Sequence, residues 1–222
     1  MAAGRVMLLH GIARTKASLA KLERLIQSAG YLTLNLDYSS RRMPLEHLVE
    51  QIHGAAGTFA GQEGSPFHIV GHSMGGLLAR AYIARHRPAE LGRVVMLGTP
   101  NQGSELADLL MRHFAYRRFF GPAGGQLGTG NINSFGTMDY PVGVIAGRRA
   151  LDPIGWLLIP GPNDGRVSVA RTKVDAMADH LTLPVTHALM PQNSTVMEQT
   201  LHFLQHGRFK AHPERHNRER PP

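Results

Sequence analysis

The run Phe67-His68-Ile69-Val70-Gly71-His72-Ser73-Met74-Gly75-Gly76 joins an apolar segment to a Gly-x-Ser-x-Gly pattern and then to a helix-like stretch. A serine hydroxyl becomes a useful nucleophile when a strained strand-to-helix turn holds it exposed beside a base. Gly71 and Gly75 leave room for that turn and for close packing of the helix behind it. The helix start adds backbone N–H groups and the positive end of a dipole, and Met74 N–H is the first donor available to a developing oxyanion. Composition alone would produce this five-residue pattern in roughly one such chain in eight. Its placement between a strand and a helix therefore carries the signal. A second segment, Leu8-Leu9-His10-Gly11-Ile12, closes the first apolar run. Acyl transfer needs a second oxyanion donor from the loop after that strand, and Ile12 N–H is placed to give it. The plainer reading of these residues is an ordinary strand-to-helix turn that contains His-Gly.

The elements that must position these groups alternate along the chain. Short apolar runs predict strands at Val6–Leu9, Tyr31–Leu36, Phe67–Val70, Val94–Leu97, Val142–Ala146 and Leu181–Val185. Amphipathic stretches predict helices at about 15–29, 44–60, 75–87, 103–112 and 193–206. Gly30 stops the first helix, Pro88 ends the third, and Asn193-Ser194-Thr195 caps the last. Strands alternating with helices imply a mostly parallel, doubly wound α/β sheet with its site at the carboxyl ends of the strands. The 222 residues fit one domain, expected to span 1–206. No apolar run reaches the ~20 residues of a membrane-spanning helix. The chain has no cysteine, which excludes disulfides, thiolate metal sites and cysteine nucleophiles.

Together these segments resemble the α/β-hydrolase family, and within it the small lipases and esterases. The resemblance covers about residues 5 to 206. It rests on His10-Gly11-Ile12, Gly71-His72-Ser73-Met74-Gly75, Leu97-Gly98-Thr99-Pro100-Asn101-Gln102-Gly103-Ser104, Asn163-Asp164-Gly165-Arg166-Val167 and a late His187. It implies a six-stranded core lacking the family's first two strands, and a Ser, Asp, His chain order. His187 then becomes the base, because it follows the last predicted strand and precedes the final helix. His180 lies before that strand, and His202 and His206 lie inside the helix. The acid belongs to the loop beyond the fifth strand, which offers Asp164, in a lipase-like turn, and Asp152, nearer the strand end. The resemblance implies that Ser73, Asp164 and His187 hydrolyse carboxylic esters with Ile12 and Met74 as oxyanion donors. No cofactor and no metal are required. Acyl transfer to another acceptor and non-catalytic ligand binding are the rival functions.

More than forty residues separate the fourth and fifth predicted strands, far more than a crossover helix needs. Four of the chain's fourteen aromatics fall within 114–120, interleaved with Arg117 and Arg118. Insertions here in the resembling lipases form lids, so the segment from about 101 to 140 is expected to cover the acyl pocket. Its apolar and cationic parts also suit a weak contact with an anionic membrane surface; permanent packing onto the domain is the alternative. His10, Phe119, Phe120 and Trp156 are the side chains expected to touch a small-molecule or lipid ester, although the Trp156-Leu157-Leu158-Ile159 run reads more readily as core. Residues 207–222 hold five basic and two acidic residues and no apolar periodicity, which predicts a flexible basic tail. No nucleic-acid module accompanies it. The spacing of His202 and His206 suits two metal ligands, but no third ligand is apparent, and Gly124–Gly130 follows no strand, as a phosphate cradle would. An apolar strand begins at Arg5, too early for a leader sequence, which predicts a cytoplasmic protein.

Overall fold

The computed structural model describes residues 3–61, 64–110, 113–129, 138–151 and 153–211, without the side chains of 115–117, 119, 154 and 156. Six strands form one sheet: β1 (Gly4–Leu9), β2 (Tyr31–Leu36), β3 (Phe67–His72), β4 (Leu91–Leu97), β5 (Val142–Gly147) and β6 (Asp179–Leu183). Their order is β2-β1-β3-β4-β5-β6, and every neighbouring pair is parallel. Every residue of β1, β3 and β5 is buried, as expected of strands covered by helices on both faces.

Alternation along the strands divides the core in two. Val6, Leu8, Val95, Leu97 and Ile145 share a cluster with Leu22 and Ile26 of α1 (Ala20–Ser28) and with Val196, Phe203 and Leu204 of α8 (Ser194–His206). Met7, Leu9, Ile69, Val94 and Met96 share the other with Leu48 and Ile52 of α2 (Leu45–Ala60) and Leu77 and Leu78 of α3 (Met74–His86). Thus α1 leaves β1 over one face, and α2 returns over the other to β3. The chain reverses direction between β1 and β3, and an open α/β sheet has its crevice at such a switch point. Ile12 follows β1 and Ser73 follows β3, so topology alone brings their loops together.

The 44 residues between β4 and β5 contain α4 (Glu105–Leu110) and α5 (Phe114–Gly125), the latter kinked at Gly121 and Pro122. Ala107, Ala123 and Leu127 join the core cluster over α2 and α3, while Phe114 is 72% exposed. Two short helices, α6 (Pro153–Leu158) and α7 (Val169–Thr172), follow β5. Among the described residues no helix is long and apolar enough to cross a membrane.

Three expectations are corrected. The last strand runs over 179–183, not 181–185, because β5 pairs with it from Asp179 onward and Pro184 has no N–H to extend the ladder. His180 consequently lies inside β6. Leu157 is 76% and Leu158 38% exposed, so of this apolar run only Ile159 behaves as core among the side chains described. The chain is not loose from 207: Gly207 ends α8 with φ 71°, and Phe209 is buried against Phe203 at a ring separation of 5.0 Å. Phe209 N–H donates to Asp179 Oδ2 at 2.8 Å, and Lys210 N–H to Gln199 Oε1 at 2.8 Å. One apolar residue in a charged segment leaves no periodic trace.

The buried histidines link the fold to pH. His68 in β3 is 3% exposed, and its Nδ1 accepts Arg93 N–H at 2.9 Å, which requires a bare nitrogen. Burial, with the nearby Arg93 charge, pushes its pKa from 6.5 down to about 4. The native state then binds fewer protons than the unfolded chain between these values. Its contribution is complete above pH 6.5 and is lost as pH falls towards 4, on the order of 3 kcal/mol. Burial lowers His10 and His72 as well, which adds to the same trend. Urea unfolding at pH 7, 6, 5 and 4 is expected to show this loss, with a shallower slope for His68→Gln. Equal slopes for the two proteins would remove His68 as the cause.

Candidate functional site

Ser73 sits in the one-residue turn between β3 and α3 with φ 55° and ψ −125°. A non-glycine residue at such angles is strained, and strain of this kind persists only where its surroundings enforce it. Those surroundings are close. A Cβ on Gly71 would lie 2.5 Å from Gly76 N, and one on Gly75 would collide with Leu9 O. A Cβ on Gly76 would strike the Thr99 side chain behind it. The glycines permit α3 to press onto β1 and β4 and drive the serine outward.

His187 stands four residues past β6. Its Nε2 lies 2.9 Å from Ser73 Oγ and its Nδ1 2.7 Å from Asp164 Oδ2. The Asp164 side chain is wholly buried, whereas that of His187 is 14% exposed. The other carboxylate oxygen, Asp164 Oδ1, accepts the N–H groups of Arg166 at 2.9 Å and Val167 at 2.8 Å. This turn keeps Oδ2 free to face the imidazole, and an acceptor there selects the Nδ1–H tautomer. His187 N–H also donates to Asp164 O at 2.9 Å, tying the two loops at the backbone. Gly98 directly follows β4 with φ 57°, and a Cβ there would lie 3.1 Å from Asp164 Oδ2 and 3.2 Å from His187 Nδ1. Three strand ends thus converge on one hydrogen-bonded chain, Asp164–His187–Ser73.

These groups open into a cavity of about 400 Å³ that Ser73 and His187 line. Its apolar wall is Ile12 with Leu106, Ala107, Leu110, Phe120 and Leu127, the last five of them from the β4–β5 segment. Met74 is fully buried at the first turn of α3. Phe119 and Trp156 fall in α5 and α6, with side chains outside the described residues, and Asp152 lies outside them altogether. Among the described residues no three His, Asp or Glu side chains gather to hold a metal. His202 and His206 instead stack on each other at 4.2 Å.

His10 departs from its expected role. It is wholly buried and absent from the cavity wall, its ring stacked on Tyr38 at 4.0 Å and 6°. The β2–α2 loop supplies that aromatic partner, and the apolar stack draws the imidazole away from the solvent side. Sequence reasoning missed other residues of the site. His72 Nε2–H donates to His187 O at 3.0 Å, and burial, then the neighbouring His187, holds the His72 ring neutral. Ser104 also lines the cavity, but its Oγ donates to Arg166 O at 3.2 Å and accepts Ala107 N–H at 3.3 Å. Arg14 and Arg166 complete the rim. Arg14 directly follows the His10-Gly11-Ile12 segment and Ser104 closes the Leu97–Ser104 segment, so proximity to known motifs was the available signal.

Comparison with known proteins agrees with this architecture. Residues 5–121 match the palmitoyl protein thioesterase family. Among solved structures, a lipase of Bacillus licheniformis in its mature form is similar with a TM-score of 0.69 and 21% identity, over 84% of this chain and 86% of that one. A metagenomic carboxyl esterase gives a TM-score of 0.67 and 16% identity, over 84% and 65% respectively. A lipase-esterase related protein of Clostridium acetobutylicum gives 0.62 and 14%, over 91% and 95%. At these identities the structural likeness is one of fold.

Proposed function

We propose a reaction from this premise: the chain belongs to the palmitoyl protein thioesterase family, within the α/β-hydrolases. The reaction is hydrolysis of a carboxylic ester or thioester through an acyl-enzyme on Ser73. The observation that carries it is the Asp164–His187–Ser73 chain, with links of 2.7 and 2.9 Å, at the wall of an apolar cavity.

Ser73 Oγ attacks the acyl carbon while His187 Nε2 takes its proton. The carbonyl oxygen becomes an oxyanion held by the N–H groups of Ile12 and Met74. The first N–H groups of a helix have no intrahelical acceptor, which suits Met74 to this part. Collapse of the tetrahedral intermediate expels the alcohol or thiol, to which His187 returns the proton. Water then repeats the sequence on the acyl-enzyme and frees the acid. Asp164 keeps the histidine tautomer and stabilises the imidazolium without taking a proton. The wall of Leu106, Leu110, Phe120 and Leu127 would take the acyl chain.

The test is a paired panel of aryl oxygen esters and thioesters from acetyl to palmitoyl, run with a serine-reactive phosphonate. Turnover that yields free acid, abolished by stoichiometric labelling of Ser73, is expected. Stoichiometric acyl transfer to an added alcohol without free acid would favour a transferase. No turnover together with no labelling would leave only a ligand-binding role.

A further inference from the structure

We infer that His10 is a positioning residue that aims the oxyanion donor Ile12 N–H into the cavity; this rests on the serine-hydrolase reading above. The His10 Nδ1 lies 2.8 Å from Gly11 O. A carbonyl can only accept, so Nδ1 carries the proton and Nε2 is bare. Among the described residues the buried Nε2 atom has no hydrogen-bond partner, and it lies 3.6 Å from Asp37 Oδ1. Burial also favours the neutral ring.

The consequence follows from peptide geometry. The Gly11–Ile12 bond is trans and planar, so Gly11 C=O and Ile12 N–H point in opposite directions. Holding the carbonyl against the buried imidazole turns the N–H the other way, towards the cavity that Ile12 lines with Ser73. The loop needs this restraint. Gly11 offers little resistance to rotation of that peptide, since it has no side chain. Ala13, two residues on, holds a φ of 56°, so relaxation of the turn would release strain.

Neighbouring bonds clamp the same loop to the β2–α2 connection. Tyr38 hydroxyl donates to His10 O, and Ala13 N–H donates to Ser40 Oγ at 3.2 Å. Gly11 O also accepts Arg14 N–H at 3.2 Å, which closes the turn. The His10 side chain reaches the carbonyl of the donor's own peptide. The Tyr38 stack fixes the ring plane that makes this bond. His10 therefore acts on the transition state without touching substrate.

The test compares the full chain with His10→Phe, His10→Asn and His10→Gln on a soluble aryl ester. Binding of an alkylboronic acid, whose tetrahedral adduct places an oxygen in the oxyanion position, is measured alongside. Phenylalanine keeps the ring and removes the donor. Asparagine keeps an N–H one bond from Cγ, where Nδ1 stands, and glutamine moves it one bond further. Loss of an oxyanion donor outright costs about 10²–10³ in kcat, and a misaimed donor should cost less, about 10- to 100-fold in His10→Phe. KM should stay within about threefold, boronate affinity should fall in step with kcat, and His10→Asn should recover most of both. If His10→Phe fails to fold, the inference is decided by His10→Asn exceeding His10→Gln in kcat at similar melting temperature. An unchanged kcat in His10→Phe, or equal losses in His10→Asn and His10→Gln, would overturn it. Those results with wild-type Ser73 still labelled and active would leave the hydrolase reading intact. A wild type that neither turns over nor binds phosphonate would end both.

Discussion

Replacing Ser73 by alanine is expected to lower kcat on the order of 10⁶-fold, with the remaining rate supplied by binding and the oxyanion donors. The fold should survive. Alanine tolerates φ 55° no worse than serine does, and the change removes one hydrogen bond, to His187 Nε2, worth about 1 kcal/mol. A large loss of rate at nearly constant melting temperature therefore separates chemistry from stability. The same variant should lose phosphonate labelling. Ser104 is the informative control because it lines the same cavity, yet its hydroxyl is engaged by Arg166 O and by Ala107 N–H. Ser104→Ala should keep both turnover and labelling. Label found on Ser104 in the Ser73→Ala protein would sink the assignment of the nucleophile.

Central parallel strands advertise themselves because both their faces are buried. The runs at 6–9, 67–70 and 94–97 each lie wholly within an observed strand. Ser73 was legible for a related reason: its turn demands glycines on both sides, and the close contacts at Gly71 and Gly75 express that demand in space. The edge strand β6 was harder. Three of its five residues, Asp179, His180 and Thr182, are only partly buried, so hydropathy drew the reading two residues onward to Val185, past Pro184. His187 was still read as lying past the last strand, since that needed only chain order, and its Nε2 lies 2.9 Å from Ser73 Oγ. Helices α6 and α7, with six and four residues, are too short to show a helical period. Side-chain direction in loops was beyond reach altogether. His10 lies two residues before the proposed oxyanion donor Ile12, but whether its ring faces substrate or core depends on Tyr38, twenty-eight residues away. The cavity wall has the same character, assembled from the segments that follow β1, β3, β4, β5 and β6.

The choice between Asp164 and Asp152 sets up the second large effect. Asp164→Asn is expected to lower kcat by about 10⁴-fold, and Asp152→Asn by less than about threefold. The asymmetry comes from hydrogen-bond direction. Asp164 Oδ1 accepts two backbone N–H groups, from Arg166 and Val167, so an asparagine there would keep its carbonyl oxygen on that side. Its amide nitrogen would then replace Oδ2 and present N–H to His187 Nδ1, which now lies 2.7 Å from a carboxylate oxygen. Two donors cannot share that contact. The imidazole must move its proton to Nε2, and the lone pair that should take the Ser73 proton disappears. Flipping the amide would restore the acceptor for His187 but turn N–H groups against Arg166 and Val167, leaving buried donors unpaired at about 1–3 kcal/mol. Both routes damage the site, the first through rate and the second through stability as well. Measuring kcat and melting temperature for the two variants distinguishes them. If Asp152→Asn carries the larger loss in kcat while Asp164→Asn stays near wild type, Asp164 is a structural turn residue and the acid lies elsewhere in the loop.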